Sequence, residues 1–140
     1  MCGRIKLDSF EVKLDTLAPI TISLEPERIE EMRWGLNTDK GYIQYWVRSE
    51  NLPAKHNRGL IHASGWYEKG KLIKPAYPCK SVPFGVIWDD EECFALLTRE
   101  PYCTLLSSIH NRMPAIVEPK QWLMRKTSVV PMRVEVCVLS

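Results

Sequence analysis

Apolar and polar positions change period several times along the 140-residue chain, and the changes mark out short elements. Phe10, Leu14 and Leu17 recur at helical spacing behind Asp8 or Ser9 as a cap. That spacing predicts a short helix through about Leu17, ended by Pro19. Short strands are expected next, the last near Arg33-Trp34-Gly35-Leu36. Tyr42–Val47 is aromatic and β-prone. Leu60–Ala63 and Trp66–Glu68 read as strand pieces around Ser64-Gly65. Phe84–Trp88 and Cys93–Thr98 are apolar runs on either side of Asp89-Asp90-Glu91-Glu92, the pattern of a hairpin with an acidic turn. Cys103–Ile109 reads as a short helix leading to His110. Pro119 is placed to start another, carrying Trp122 and Leu123. Finally Met132, Val134, Val136 and Val138 alternate with Arg133, Glu135 and Cys137, as in a half-buried strand. The expected class is α+β, with short strands and a few short helices in a single domain spanning 1–140.

Composition narrows the picture without redirecting it. The chain is 45% apolar and 26% charged, ordinary for a globular domain with a sizeable core. A net charge of +2 excludes a broad polycationic surface, so any nucleic-acid contact must come from a local groove lined by selected arginines. Asp8, Glu11 and Asp15 interrupt the N-terminal region, unlike a signal peptide, and no apolar run reaches membrane-spanning length. The five cysteines, Cys2, Cys79, Cys93, Cys103 and Cys137, include no close C-x-x-C pair. No metal site and no cofactor are expected, and reduced thiols in the cytoplasm are. Cys79, Cys93, Cys103 and Cys137 read as small buried hydrophobes. The four acids at 89–92 read as a solvated turn. No repeat, low-complexity tract or linker is evident.

Chemistry enters at the second residue. Met1 precedes a small residue, Cys2, and is of the kind that aminopeptidases trim. Trimming would place an α-amine and a thiol on adjacent carbons, with reference pKa values of roughly 7.7–8.0 and about 8.5. Such a pair captures an aldehyde in two steps. The amine forms an imine, and the thiol then closes on the imine carbon to give a thiazolidine, a ring closure favoured by its high effective molarity. The same pair can instead attack an amide, the amine acting as base. Two further stretches carry titratable groups. In Gly65-Trp66-Tyr67-Glu68 the carboxyl lies among aromatics, where desolvation would raise its pKa and suit it to acid–base work. In His110-Asn111-Arg112-Met113-Pro114, His110 titrates in the useful range and Arg112 can bind phosphate or hold a carboxylate.

Taken in order, these stretches resemble the SOS response-associated peptidase (SRAP) family of abasic-site processing proteins. The family opens Met-Cys-Gly-Arg, as Met1 to Arg4 do. Its Trp-Gly-Leu matches Trp34-Gly35-Leu36. Its Asn-Ala-Arg-(Ser/Ala)-Glu is similar to Trp46-Val47-Arg48-Ser49-Glu50, and its Gly-(Phe/Trp)-Tyr-Glu-Trp to Gly65-Trp66-Tyr67-Glu68-Lys69. Phe84-Gly85-Val86-Ile87-Trp88 resembles its Phe-Ala-Gly-Leu-Trp strand. His110 to Pro114 matches its His-(Asp/Asn)-Arg-Met-Pro. The resemblance runs from Cys2 to about Leu123.

It implies curved, mainly antiparallel sheets around a barrel-like core, and a monomer that crosslinks covalently to abasic sites in single-stranded DNA. Cys2 would form the thiazolidine, while Glu68 and His110 would assist proton transfer. Lyase and self-release activities are also implied. Arg4, Arg48, Arg58 and Arg112 would grip the strand without reading its sequence. Trp46, Trp66 or Tyr45 would stack exposed bases, whereas Trp34 and Trp88 read as core.

Two of the chain's departures from the family bear on the chemistry. Trp46 stands where the family has an asparagine, and an indole offers only one N–H. Lys69 replaces a tryptophan, and its cation would lower the Glu68 pKa if close. The chain is also shorter than typical members, as in a compact bacterial or phage version. Two other readings stay open. One is a single-stranded DNA-binding remnant that has lost catalysis through Trp46. The other is an N-terminal-nucleophile glutamine amidohydrolase, a class that also begins Met-Cys-Gly but leaves the other motifs unexplained.

Overall fold

The computed structural model describes residues 3–53, 55–76, 79–126, 129–131 and 134–138, with the backbone alone at positions 135, 137 and 138. It is mostly β. The strands are β1 (Arg4–Lys6), β2 (Glu11–Lys13), β3 (Leu17–Leu24), β4 (Glu27–Trp34), β5 (Leu36–Asn37), β6 (Ile43–Gln44), β7 (Trp46–Arg48), β8 (Asn57–Ala63), β9 (Gly65–Glu68), β10 (Lys71–Pro75), β11 (Val82–Trp88), β12 (Cys93–Arg99), β13 (Met113–Pro114) and β14 (Val134–Val138). The helices are short: a 3₁₀ turn at Ser49–Asn51, α1 (Thr104–Ser107) and α2 (Pro119–Leu123).

One sheet is antiparallel with the order β14-β10-β9-β1-β2. A second runs β11-β8-β3-β4-β12-β13, with β7 beside β12 and β11 also pairing β12, and a small third sheet pairs β5 with β6. This second sheet therefore curls back on itself. Its joins are thin, since β3 meets β8 only at Thr21↔Leu60, and β4 meets β12 in parallel only at Cys93↔Arg33 and Phe94↔Trp34. The sheets are curled without closing into a barrel.

The alternation along each strand explains the layering. In β1 and β2 only the central Ile5 and Val12 are buried, and they oppose one another. With Trp66 and Ile73 they pack onto Ile20, Met32, Trp34, Ile61, Phe84 and Phe94 of the curled sheet. A second cluster holds Leu36, Leu60, Ile87 and Leu97 beneath Trp122 of α2. Trp34 stacks on Phe94, with ring centroids 6.0 Å apart, and donates Nε1–H to the Tyr45 carbonyl. Core packing is thus the role of Trp34. Trp88 is half-buried and donates to the Arg58 carbonyl.

The expected helix through Leu17 is not there. The segment is β2, a turn and the start of β3, and Phe10 and Leu17 are 50% and 57% exposed. The residue that seats it is Val12, which the 3–4 spacing of Phe10, Leu14 and Leu17 passes over. Pro19 sits within β3 opposite Glu31. The acidic hairpin forms as expected, and Asp89 Oδ1 accepts the Glu91 and Cys93 backbone N–H groups to shape its turn. The helices at Cys103–Ile109 and Pro119 form as the shorter α1 and α2. In the final strand, Val134 and Val136 are half-buried against the core, while Met132 and Arg133 lie outside the described residues. Of the internal cysteines, Cys93 is buried, Cys79 half-buried and Cys103 exposed. Cys103 is therefore not a core residue, because it caps the start of α1 at the surface.

Candidate active site

Cys2 lies outside the described residues, but the strand that follows it does not. β1 runs antiparallel to β9, with Ile5↔Trp66 and Lys6↔Gly65. Continued by two residues, that register sets Arg4 beside Tyr67 and Gly3 beside Glu68. The side chains agree, since the Arg4 guanidinium lies 3.8 Å from the centre of the Tyr67 ring. The chain leaving Cys2 is thus directed along the end of β9. Close sheet packing there depends on Gly65, where a Cβ would come within 2.6 Å of the Ile73 carbonyl oxygen on β10.

Glu68, the last residue of β9, is 5% exposed. Residues two apart on a strand share a face, so it lies on the inward side with Trp66. Burial pushes its carboxyl pKa up, and the cation of Lys69 and the nearby His110 imidazole pull the other way. Lys69 therefore acts as its replacement of an aromatic residue implied. His110 is half-buried after α1, and its Nδ1 accepts the Arg112 backbone N–H at 3.1 Å. An accepting Nδ1 leaves the proton of the neutral ring on Nε2, so the other nitrogen of this imidazole is a donor. The structure thus brings Glu68 and His110 into electrostatic reach of one another.

The four arginines separate. Arg112 is 4% exposed and turned inward. Its guanidinium forks onto Glu50 at 2.7 and 3.1 Å and also donates to the carbonyl and hydroxyl oxygens of Thr98. Of the two uses open to it in the sequence, holding a carboxylate is the one this geometry occupies. Arg58 lies over the Trp122 ring at 4.2 Å and donates to the carbonyls of Trp122 and Lys126, closing the C-terminal end of α2. Arg4 is half-buried, 3.6 Å from Glu11. Arg48 is exposed at the end of β7.

The tryptophans separate too. Trp66 is 1% exposed and packs edge-on against Phe84, so it has no face to offer a base. That correction follows from the strand alternation, which turns Trp66 inward with Glu68. Trp46 is half-buried, tilted against Tyr45 at 5.6 Å and packed against the main core cluster, on the same face of β7 as Arg48. Tyr45 is held by its hydroxyl donating to Asp15 at 2.9 Å.

Sequence reasoning missed the clasp around Arg112. Glu50 and Thr98 gave no separate signal, although Glu50 closes the same motif as Arg48. It also missed the outer face of the five-stranded sheet, where Lys6 and Lys13 flank the Arg4–Tyr67 pair and Glu11 accepts from the Tyr67 hydroxyl at 2.7 Å. Among the described residues no cluster of His, Cys, Asp and Glu could hold a metal ion, and no helix is long and apolar enough to cross a membrane. The chain matches no family model, no curated protein and no solved structure.

Proposed function

We propose that the protein traps abasic sites in single-stranded DNA through Cys2, after removal of Met1, as the SRAP resemblance implies. The observation that carries this reading is the β1–β9 register, which directs the strand leaving Cys2 past a buried Glu68 whose carboxyl is shifted up and electrostatically coupled to His110. An N-terminal aminothiol, a protonatable carboxyl and an imidazole donor are the groups that aldehyde capture needs.

The ring-opened sugar presents a carbonyl carbon. The Cys2 amine adds to it, and a carbinolamine forms. Loss of its hydroxyl as water needs a proton, which Glu68, kept protonated to higher pH by burial, supplies. The thiol then adds to the iminium carbon and returns its proton to the Glu68 carboxylate. One C–N and one C–S bond form, and one water leaves. His110, donating from Nε2, steadies the oxygen that departs. Arg48, exposed at the end of β7, offers phosphate contact to the strand, and the uncovered part of the half-buried Trp46 offers stacking. Arg58 and Arg112 serve the fold instead.

Intact-mass measurement before and after addition of an abasic oligonucleotide tests the reading. The expected product is the sum of the two masses less one water, from a protein lacking Met1, and absent in Cys2→Ala. An equal yield from Cys2→Ala, or from protein that retains Met1, overturns it. Ammonia release from glutamine, with no adduct on abasic DNA, would turn the assignment to amide hydrolysis. DNA binding that denaturant fully reverses would leave the non-catalytic remnant.

A further inference from the structure

We infer that Glu50 is a positioning residue for His110: its carboxylate clasps the Arg112 guanidinium, and the Arg112 backbone N–H then fixes the imidazole at Nδ1. The inference rests on the abasic-site reading only for its effect on crosslinking, since the arrangement of the ring can be observed without DNA.

Three segments distant in sequence meet at one guanidinium. Glu50 comes from the 3₁₀ turn after β7, Thr98 from β12, and Arg112 from the loop between α1 and β13. Arg112 Nη1 donates to Glu50 Oε2 at 2.7 Å and Nη2 to Oε1 at 3.1 Å, a two-pronged geometry that fixes direction as well as distance. Nη2 also donates to the Thr98 carbonyl at 2.9 Å and to Oγ1 at 3.1 Å, while Thr98 Oγ1 donates to the Val47 carbonyl. The Ser49 hydroxyl donates to Glu50 Oε1 at 2.8 Å and restrains the carboxylate. β13 pairs with β12 at Thr98↔Pro114 and Arg99↔Met113, so the loop just before it is tethered by both backbone and guanidinium.

The consequence falls on His110, two residues earlier. Its Nδ1 accepts the Arg112 N–H at 3.1 Å, and that bond exists only while the Arg112 main chain is held in place. Losing it would remove the bond that favours a proton on Nε2, and the Nε2–H tautomer would no longer be selected from this side of the ring. An arginine buried this deeply cannot simply find water as a replacement partner, so the clasp is sensitive to Glu50.

The test uses full-length protein labelled with ¹⁵N-histidine. The chain has three histidines, so His110→Gln assigns the signal. Long-range ¹H–¹⁵N correlation at neutral pH should show the wild-type ring protonated at Nε2. In Glu50→Gln the signal should move to a mixture of tautomers, and the crosslinking rate should fall about 10- to 100-fold, the range seen when a supporting partner is removed. Glu50→Asp keeps the charge on a shorter arm. It should restore most of the Nε2–H form and most of the rate, and it serves as the variant to read if the Gln protein does not fold. A cooperatively folded Glu50→Gln protein with an unchanged His110 tautomer overturns the inference. A Glu50→Asp ring scrambled as fully as an unheld imidazole would also count against it. A tautomer that shifts in a protein forming no adduct with abasic DNA upholds the positioning role and overturns the proposed function.

Discussion

Glu68 combines two demands that oppose each other. Burying a carboxyl disfavours its charged form, and that cost falls on the folded state at neutral pH. A folded pKa above the unfolded one means that the folded state prefers the protonated acid, so its relative stability declines as pH rises through the interval between the two values. Glu68→Gln keeps the shape and removes the charge. It should raise neutral-pH stability by about 0.5–2 kcal/mol, as substitutions that relieve a strained site do, while adduct formation collapses. Thermal melting and intact mass on the same sample check both halves, and a Gln variant with a lower melting temperature sinks the argument.

Glu50 has the opposite sign. Arg112 holds its carboxyl down to about 2, from an ordinary 4.5. Its contribution is present above the ordinary value and is lost as pH falls from about 4.5 through 2. The Glu50 side chain is 47% exposed and so partly screened, and its truncation to Ala should cost about 1–3 kcal/mol rather than the larger loss expected for a fully buried pair. Melting temperatures taken from pH 6 down to roughly pH 2 should converge for wild type and Glu50→Ala; parallel curves would refute the linkage. At this scale the sequence was partly legible. Glu68 announced itself by its aromatic neighbours. Arg58 and Arg112 did not announce that they turn inward, because a guanidinium on a short strand or loop reads the same whether it meets phosphate, carboxylate or a helix end.

Elements were legible where their period was unambiguous. The β11–β12 hairpin followed from two apolar runs around four acids, and α2 from its proline. The segment around residues 8–17 misled because three apolar residues at helical spacing are half or more exposed or only partly covered, while one valine does the seating. Nor could any periodicity show that β1 would lie beside β9, a pairing across about sixty residues that sets the candidate site. That pairing yields its own prediction. Gly65→Ala would press a methyl group onto the Ile73 carbonyl, 2.6 Å away, and also onto Leu72. β9 must then shift from β10, at a cost of about 1–3 kcal/mol in the denaturant midpoint. Because Glu68 ends the same strand, adduct yield should drop in the fully folded variant as well. Unchanged stability and yield would mean that β9 is not held as described.

On the scale of the whole molecule, the question is how a chain with a net charge of only +2 could hold DNA. Of the four arginines suggested by the motifs, Arg58 and Arg112 are committed to carbonyls and Glu50. Arg48 is exposed, and Arg4 stands near Glu11 on the outer face of the five-stranded sheet. On the proposed function this set would neutralise about two phosphates, and the logarithm of affinity for undamaged single strands should fall against the logarithm of salt with a slope of about −1.4. Such weak electrostatic holding suits a protein whose retention on damage would come from a covalent bond. Fluorescence anisotropy across a salt series measures the slope directly. Arg48→Ala should flatten it by about 0.7, and Arg112→Lys should leave it unchanged, because a buried guanidinium releases no counterions. A wild-type slope steeper than about −3 would require a larger basic surface, and Lys6 and Lys13 beside Arg4 would be the first residues to test for it.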